Sequence, residues 1–182
     1  MRAALLALLV SSAPAFAADD PAAGAAGFYD VYLAQHGAGG IPDATGRQRY
    51  AAVVSPALGA LLTQAAVAQA RTAARIKSRG PQAAVMPMLD GDIFTALFEG
   101  ATSYRVGECR GDAAAARCTV TLTRVAPAAG PGARPVTWHD TLVMTQAATG
   151  WKADDVVYDA AIAGGNTGKL SDMLRMVIAS NP

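Results

Sequence analysis

The order and periodicity of apolar residues predict an α+β fold, with helices in the first half, a four-stranded antiparallel sheet in the second and a closing helix. Three observations carry this reading. Leu58, Leu61, Leu62, Ala65, Ala68, Thr72 and Ile76 recur at i, i+3, i+4 spacing, the signature of a helix with one buried face. After Gly100 the period falls to two: Val120 and Leu122 alternate with Thr119, Thr121 and Thr123. The segments between these alternating runs are mostly short and turn-like, which suits antiparallel pairing of consecutive strands. A chain of 182 residues can bury a core as one domain, and residues 18–182 are read as that domain.

Met1–Ala17 stands apart from it. Arg2 supplies a positive start, Ala3–Val10 is an unbroken apolar stretch and Ala15-Phe16-Ala17 is a small-x-small cleavage site. This pattern is that of a secretory signal peptide, so the protein is expected to be periplasmic or secreted after cleavage near Ala17. Asp20 and Pro21 then form an N-cap and a first helical position. Phe28, Val31, Tyr32 and Gln35 continue that helix, and Gly37 ends it. A short helix is expected over Arg47–Val54. Ser55-Pro56 opens the long one, which closes with Arg71, Arg75, Lys77 and Arg79 before Gly80-Pro81. Asp92 is expected to cap a short helix, Ile93–Phe98, ended by Gly100.

The strands are placed at Thr102–Glu108, Cys118–Ala126, Val136–Thr145 and Trp151–Tyr158. Pro127–Pro135 is a loop, Ala147–Gly150 a tight hairpin. Leu170, Met173, Leu174, Val177 and Ile178 form the closing helix, with Asn166 or Thr167 as its cap.

Fifteen basic against fourteen acidic residues exclude the basic excess of a nucleic-acid binder. No internal run reaches the ~18 apolar residues a membrane span needs. Cys109 and Cys118 are the only cysteines, and in an exported chain they are expected to form a disulfide. Closing a ten-residue loop contributes roughly 2.7 kcal/mol in the chain-entropy account. Cys109 has the wrong parity to pair with Cys118 while Tyr104 and Val106 face Leu122 and Val120. A β-bulge near Gly107 supplies the missing residue.

Trp138, Asp140, Leu142 and Met144 share one strand face, so Asp140 stands where an apolar residue is expected. If Gln146 lies opposite Trp151, Leu142 meets Asp155, Asp140 meets Val157, and the two acids become diagonal neighbours. Such a pair, raised in pKa by burial and mutual repulsion, could serve as catalytic acid and base. Alternatively each carboxylate accepts backbone hydrogen bonds or pairs with an arginine such as Arg105. Candidate ligand-binding residues are Trp138, Asp140, Asp155 and Tyr158, with Asp90 and Asp92. Asp90-Gly91-Asp92 with Glu99 lacks calcium-loop spacing, so no metal is expected. No G-x-S-x-G motif accompanies His36 or His139. Gly164–Lys169 is one residue short of a phosphate loop and is followed by Leu170, so no cofactor is expected either.

The ordered motifs Phe28-Tyr29-x-x-Tyr32-Leu33, Asp90-Gly91-Asp92-Ile93-Phe94…Glu99-Gly100-Ala101-Thr102-Ser103, Trp138-His139-Asp140-Thr141-Leu142 and Trp151–Tyr158 span roughly Phe28 to Leu174. The chain resembles a family of exported bacterial domains of unknown function, similar to the nuclear transport factor 2-like, cystatin-like superfamily. That resemblance implies a cone: a bent antiparallel sheet around a long helix, taken here as Pro56–Arg79, with a pocket at the open end. Members include enzymes with acids inside the cone and many non-catalytic binding modules, and fold alone does not choose between them. The expected function is a non-catalytic periplasmic or secreted binding or accessory module for a small-molecule ligand or an envelope protein, with the outer sheet face a candidate homodimer surface. The alternatives are an enzyme using Asp140 and Asp155 for proton transfer or hydrolysis, and an immunity or inhibitor protein acting through a surface loop such as Gly80–Asp90.

Overall fold

Local capping sets the helices of the first half. In the computed structural model, which describes residues 20–35, 39–80, 89, 91–125 and 134–180, Asp20 accepts from the Ala22 backbone N–H and starts α1, Pro21–Ala34. Asp43 accepts from Gly46 N–H and starts α2, Ala44–Tyr50, several residues earlier than the apolar pattern alone suggested. Ser55 Oγ accepts from Leu58 N–H at 3.0 Å and starts α3, Pro56–Arg79, which ends at Gly80 with φ 85°. Met1–Ala17, His36, Gly37, Pro81, Asp90 and most of Pro127–Pro135 lie outside the described residues.

The second half is a meander of β1 (Ser103–Gly111), β2 (Ala115–Arg124), β3 (Val136–Ala147) and β4 (Gly150–Val157), antiparallel throughout and in that spatial order, followed by α4 (Leu170–Ser180). The coarse α+β reading therefore holds. Val106 pairs with Val120 and Cys109 with Cys118, so one extra residue is accommodated at Gly107–Glu108. Cys109 and Cys118 are joined as a disulfide. Val120, Leu122, Trp138, Asp140, Leu142 and Met144 all point inward and are buried, as the alternation requires.

Two expectations about packing need correction. The helix lying across the sheet is α1, which meets all four strands, whereas α3 packs on α4 and touches only β4. The reason is in the side chains. Ala25, Phe28, Tyr29 and Tyr32 give α1 a wide aromatic face, and all four are buried. Gly24 lets α1 approach β4 closely, since a Cβ there would lie 2.7 Å from Trp151 Cβ. By contrast, the buried face of α3 is mostly small, with Ala65, Ala68 and Thr72 following Leu58 and Leu62.

The β3–β4 register also differs. Gln146 faces Trp151 as expected, but an extra residue at Asp154 places Asp155 opposite Val143 and Val156 opposite Leu142. The irregularity allows both Asp155 and Val156 to be buried. Val156 enters the core, while Asp155 accepts from Val156 N–H, Ser171 N–H and Ser171 Oγ–H at 2.9, 2.9 and 2.7 Å. Asp155 thus satisfies the first turn of α4, the task assigned from sequence to Asn166 or Thr167.

Candidate functional site

The Ile93–Phe98 stretch is not helical. Ile93, Phe94, Thr95 and Ala96 form a buried, irregular run whose backbone groups bond to groups elsewhere in the fold. Asp92 Oδ1 accepts from Phe94 and Thr95 N–H at 2.7 and 2.9 Å. Asp140 Oδ2 accepts from Ala96 N–H at 2.8 Å, and Tyr158 Oη donates to Ile93 C=O at 2.7 Å. Asn166 Nδ2 donates to Asp92 and Thr95 C=O, and Asn166 N–H donates to Ala96 C=O. With its donors and acceptors met from outside, the segment has no need of a helical ladder. Asp92 keeps its capping function without the helix.

Asp140 is wholly buried and also accepts from Trp138 Nε1–H at 3.1 Å and Asp159 N–H at 2.8 Å. Burial raises its pKa above the ordinary aspartate range, against the lowering effect of those donors. The diagonal acid pair inferred from the simple register is not formed in that geometry: Asp140 holds the Ala96 segment, and Asp155 holds α4.

A cavity of ligand size lies elsewhere. It has a volume of about 690 Å³ and sits between the C-terminal end of α1, the Gly39–Asp43 turn, α2 and Asp92–Phe94. Its walls include Tyr32, Gln35, Ile41, Tyr50, Asp92 and Phe94, with Asp43 and Arg49 exposed on the lining. Of the ligand-binding residues expected from sequence, Asp92 lines it and Asp90 lies outside the described residues. Trp138, Asp140, Asp155 and Tyr158 are core residues away from it. Trp138, Met144 and Trp151 fill the interior of the sheet instead.

Tyr32 ties the site to the sheet. Its hydroxyl donates to Asp92 Oδ2 at 2.7 Å and accepts from Ala101 N–H at 2.8 Å. Gly100, at φ 73°, leaves room for this pair: a Cβ there would lie 2.6 Å from both Asp92 Oδ2 and Tyr32 Oη. Tyr50 is different. It is only 2% exposed, it lines the cavity, and its hydroxyl has no hydrogen-bond partner among the described residues. Its ring lies 4.7 Å from that of Phe94, centroid to centroid, and 5.7 Å from that of Phe28. Burial, and next the Asp92 carboxyl, push the Tyr50 phenol well above its ordinary range, so it is a neutral hydroxyl. Burial likewise raises Asp92, opposed by the Tyr32, Phe94 and Thr95 donors.

Sequence reasoning missed Tyr50, Gln35 and Arg49. The signal that could have found them is the Pro42-Asp43 cap, which turns α2 so that its last residue faces the end of α1. Among the described residues, no group of three or more His, Cys, Asp or Glu side chains is placed to hold a metal, and no helix is long and apolar enough to cross a membrane. No protein-family model, no curated protein and no solved structure matches the chain.

Proposed function

We propose that this protein is an exported, non-catalytic binding module that takes a small ligand in the cavity between α1, α2 and Asp92–Phe94. The observation that carries the reading is Tyr50. The residue is buried and lines the cavity, yet no protein group among the described residues bonds its hydroxyl, so that oxygen is open to an occupant. A volume of about 690 Å³ lies within the range of small-molecule sites.

The carboxylates favour binding over turnover. Proton transfer needs an acid free to exchange with substrate, whereas Asp140 and Asp155 each accept three hydrogen bonds that hold the fold. Export is supported by the Cys109–Cys118 disulfide and by the composition of Met1–Ala17. The nuclear transport factor 2-like reading of the fold is supported by a four-stranded meander with one helix, α1, laid across every strand. On that reading the ligand enters at the end of α1 rather than between the sheet and its helix.

A thermal-shift screen of chemically diverse small molecules against the wild type and Tyr50→Phe tests this proposal. Compounds that raise Tm in the wild type should do so less in the variant. Equal shifts in both proteins, or turnover that depends on Asp140 or Asp155, would contradict it.

A further inference from the structure

From the chemistry of the cavity wall we infer that its ligand carries a protonated amine, seated against the Tyr50 and Phe94 rings with Asp92 as its counter-charge. The inference rests on the binding reading of this cavity and narrows it to one class of occupant. Three features point the same way. Tyr32, Tyr50 and Phe94 line the wall with aromatic residues, and aromatic rings attract cations through their quadrupoles. Asp92 is a half-buried carboxyl with no ion pair to any lysine, arginine or histidine among the described residues; the salt bridges there are Arg110–Glu108 and Arg175–Asp172. The groups bonded to the Asp92 carboxyl, among them Tyr32 Oη and the Phe94 and Thr95 amides, are neutral donors. A carboxylate desolvated in this way has hydrogen bonds but no balancing charge, and an ammonium brought into the cavity supplies it.

The third feature is the unpartnered Tyr50 hydroxyl, whose oxygen can accept from an ammonium N–H. Gln35 also lines the cavity, and its buried Nε2 has no partner among the described residues. Rotation of that amide lets it present either its N–H or its carbonyl, so it accommodates the amine without selecting it. Among the described lining residues Arg49 is the one cation, and it is exposed. Charge therefore discriminates among ligands of equal shape here.

Isothermal titration of the disulfide-bonded chain with benzylammonium, benzyl alcohol and benzoate tests the inference, because the three probes share a ring and differ in head-group charge. Benzylammonium should bind about tenfold or more tightly than benzyl alcohol, as expected for one charge-assisted hydrogen bond, and benzoate more weakly still. Tyr50→Phe and Asp92→Asn should each weaken benzylammonium binding, and Tyr29→Phe, which alters a core tyrosine that does not line the cavity, should not. Arg49→Glu is an exposed change that leaves the fold intact, and it should tighten benzylammonium while weakening benzoate further. That variant keeps the test decisive if Asp92→Asn fails to fold. Benzyl alcohol or benzoate binding as tightly as benzylammonium would overturn the amine assignment while leaving a binding cavity in place. No binding by any of the three would also overturn it, and the broader screen then decides whether the cavity takes any ligand.

Discussion

Four buried tyrosines offer an internal comparison in which one oxygen is removed from each of four similar surroundings. Tyr32 Oη donates to Asp92 and accepts from Ala101 N–H, and Ala101 is fully buried. Tyr32→Phe therefore deletes one hydrogen bond to a carboxylate and orphans one buried amide, a loss of about 3–4 kcal/mol. At about 2–4 °C per kcal/mol for a domain of this size, Tm should fall by about 10 °C. Tyr158 Oη makes one bond, to Ile93 C=O, and Tyr158→Phe should cost about 1–2 kcal/mol.

Tyr29 and Tyr50 should show no such loss. The Tyr29 hydroxyl is fully buried with no partner, and that of Tyr50 has none among the described residues. Removing a hydroxyl that no protein group bonds breaks no contact, and for the desolvated Tyr29 oxygen it also relieves a cost. Tyr29→Phe should be about 1 kcal/mol more stable, raising Tm by about 2–4 °C, and Tyr50→Phe without ligand should stay close to the wild type. Differential scanning calorimetry with urea unfolding of all four variants supplies the numbers. If Tyr50→Phe is destabilised as much as Tyr32→Phe, the Tyr50 hydroxyl has a structural partner and the case for a group reserved for ligand collapses.

Two further outcomes follow from the same contacts. Asp155→Ala removes the acceptor for Ser171 N–H and Oγ–H, so α4 should lose hydrogen-exchange protection at its first turn, with a stability loss of about 2–4 kcal/mol; unchanged protection at Ser171 would refute the capping role. Stability should also rise on moderate acidification. Burial holds the folded pKa values of Asp92 and Asp140 above the ordinary aspartate value of 3.8, so the folded state binds their protons more tightly and gains as pH falls through those raised values from neutral. Below that window the trend reverses. Glu108, Asp112 and Asp159 are held low by Arg110 and by backbone donors, and the stability they contribute above the ordinary carboxylate range is lost as they protonate. Urea midpoints that fall steadily from neutral pH downward would contradict the raised values.

What could be read from the sequence was local or periodic. Asp20-Pro21, Ser55-Pro56 and Gly80 act through neighbours within one helical turn, so their roles follow from spacing alone. The bulge at Gly107–Glu108 was legible because a disulfide and an apolar face impose incompatible parities on one strand. The anomaly of Asp140 was equally visible, but its partner was not: Ala96 is a backbone donor 44 residues away. Tyr32 and Asp92 are separated by 60 residues and meet only because α1, rather than the longer α3, crosses the sheet. That choice depends on aromatic against alanine side chains on the two helices, which periodicity does not weigh. The extra residue at Asp154 was hidden for a related reason, since it serves α4, an element that follows in the chain.

The location of the binding site can be measured directly by NMR titration of the ¹⁵N-labelled chain with benzylammonium or any compound found by thermal shift. The account predicts shift changes at the Gly40, Gly46 and Tyr50 amides and at Asp92–Phe94, with the Trp138 indole N–H, held by Asp140 in the filled interior of the sheet, left in place. A ligand that moves the Trp138 indole resonance and leaves the α2 amides unshifted would put the site inside the sheet and contradict it.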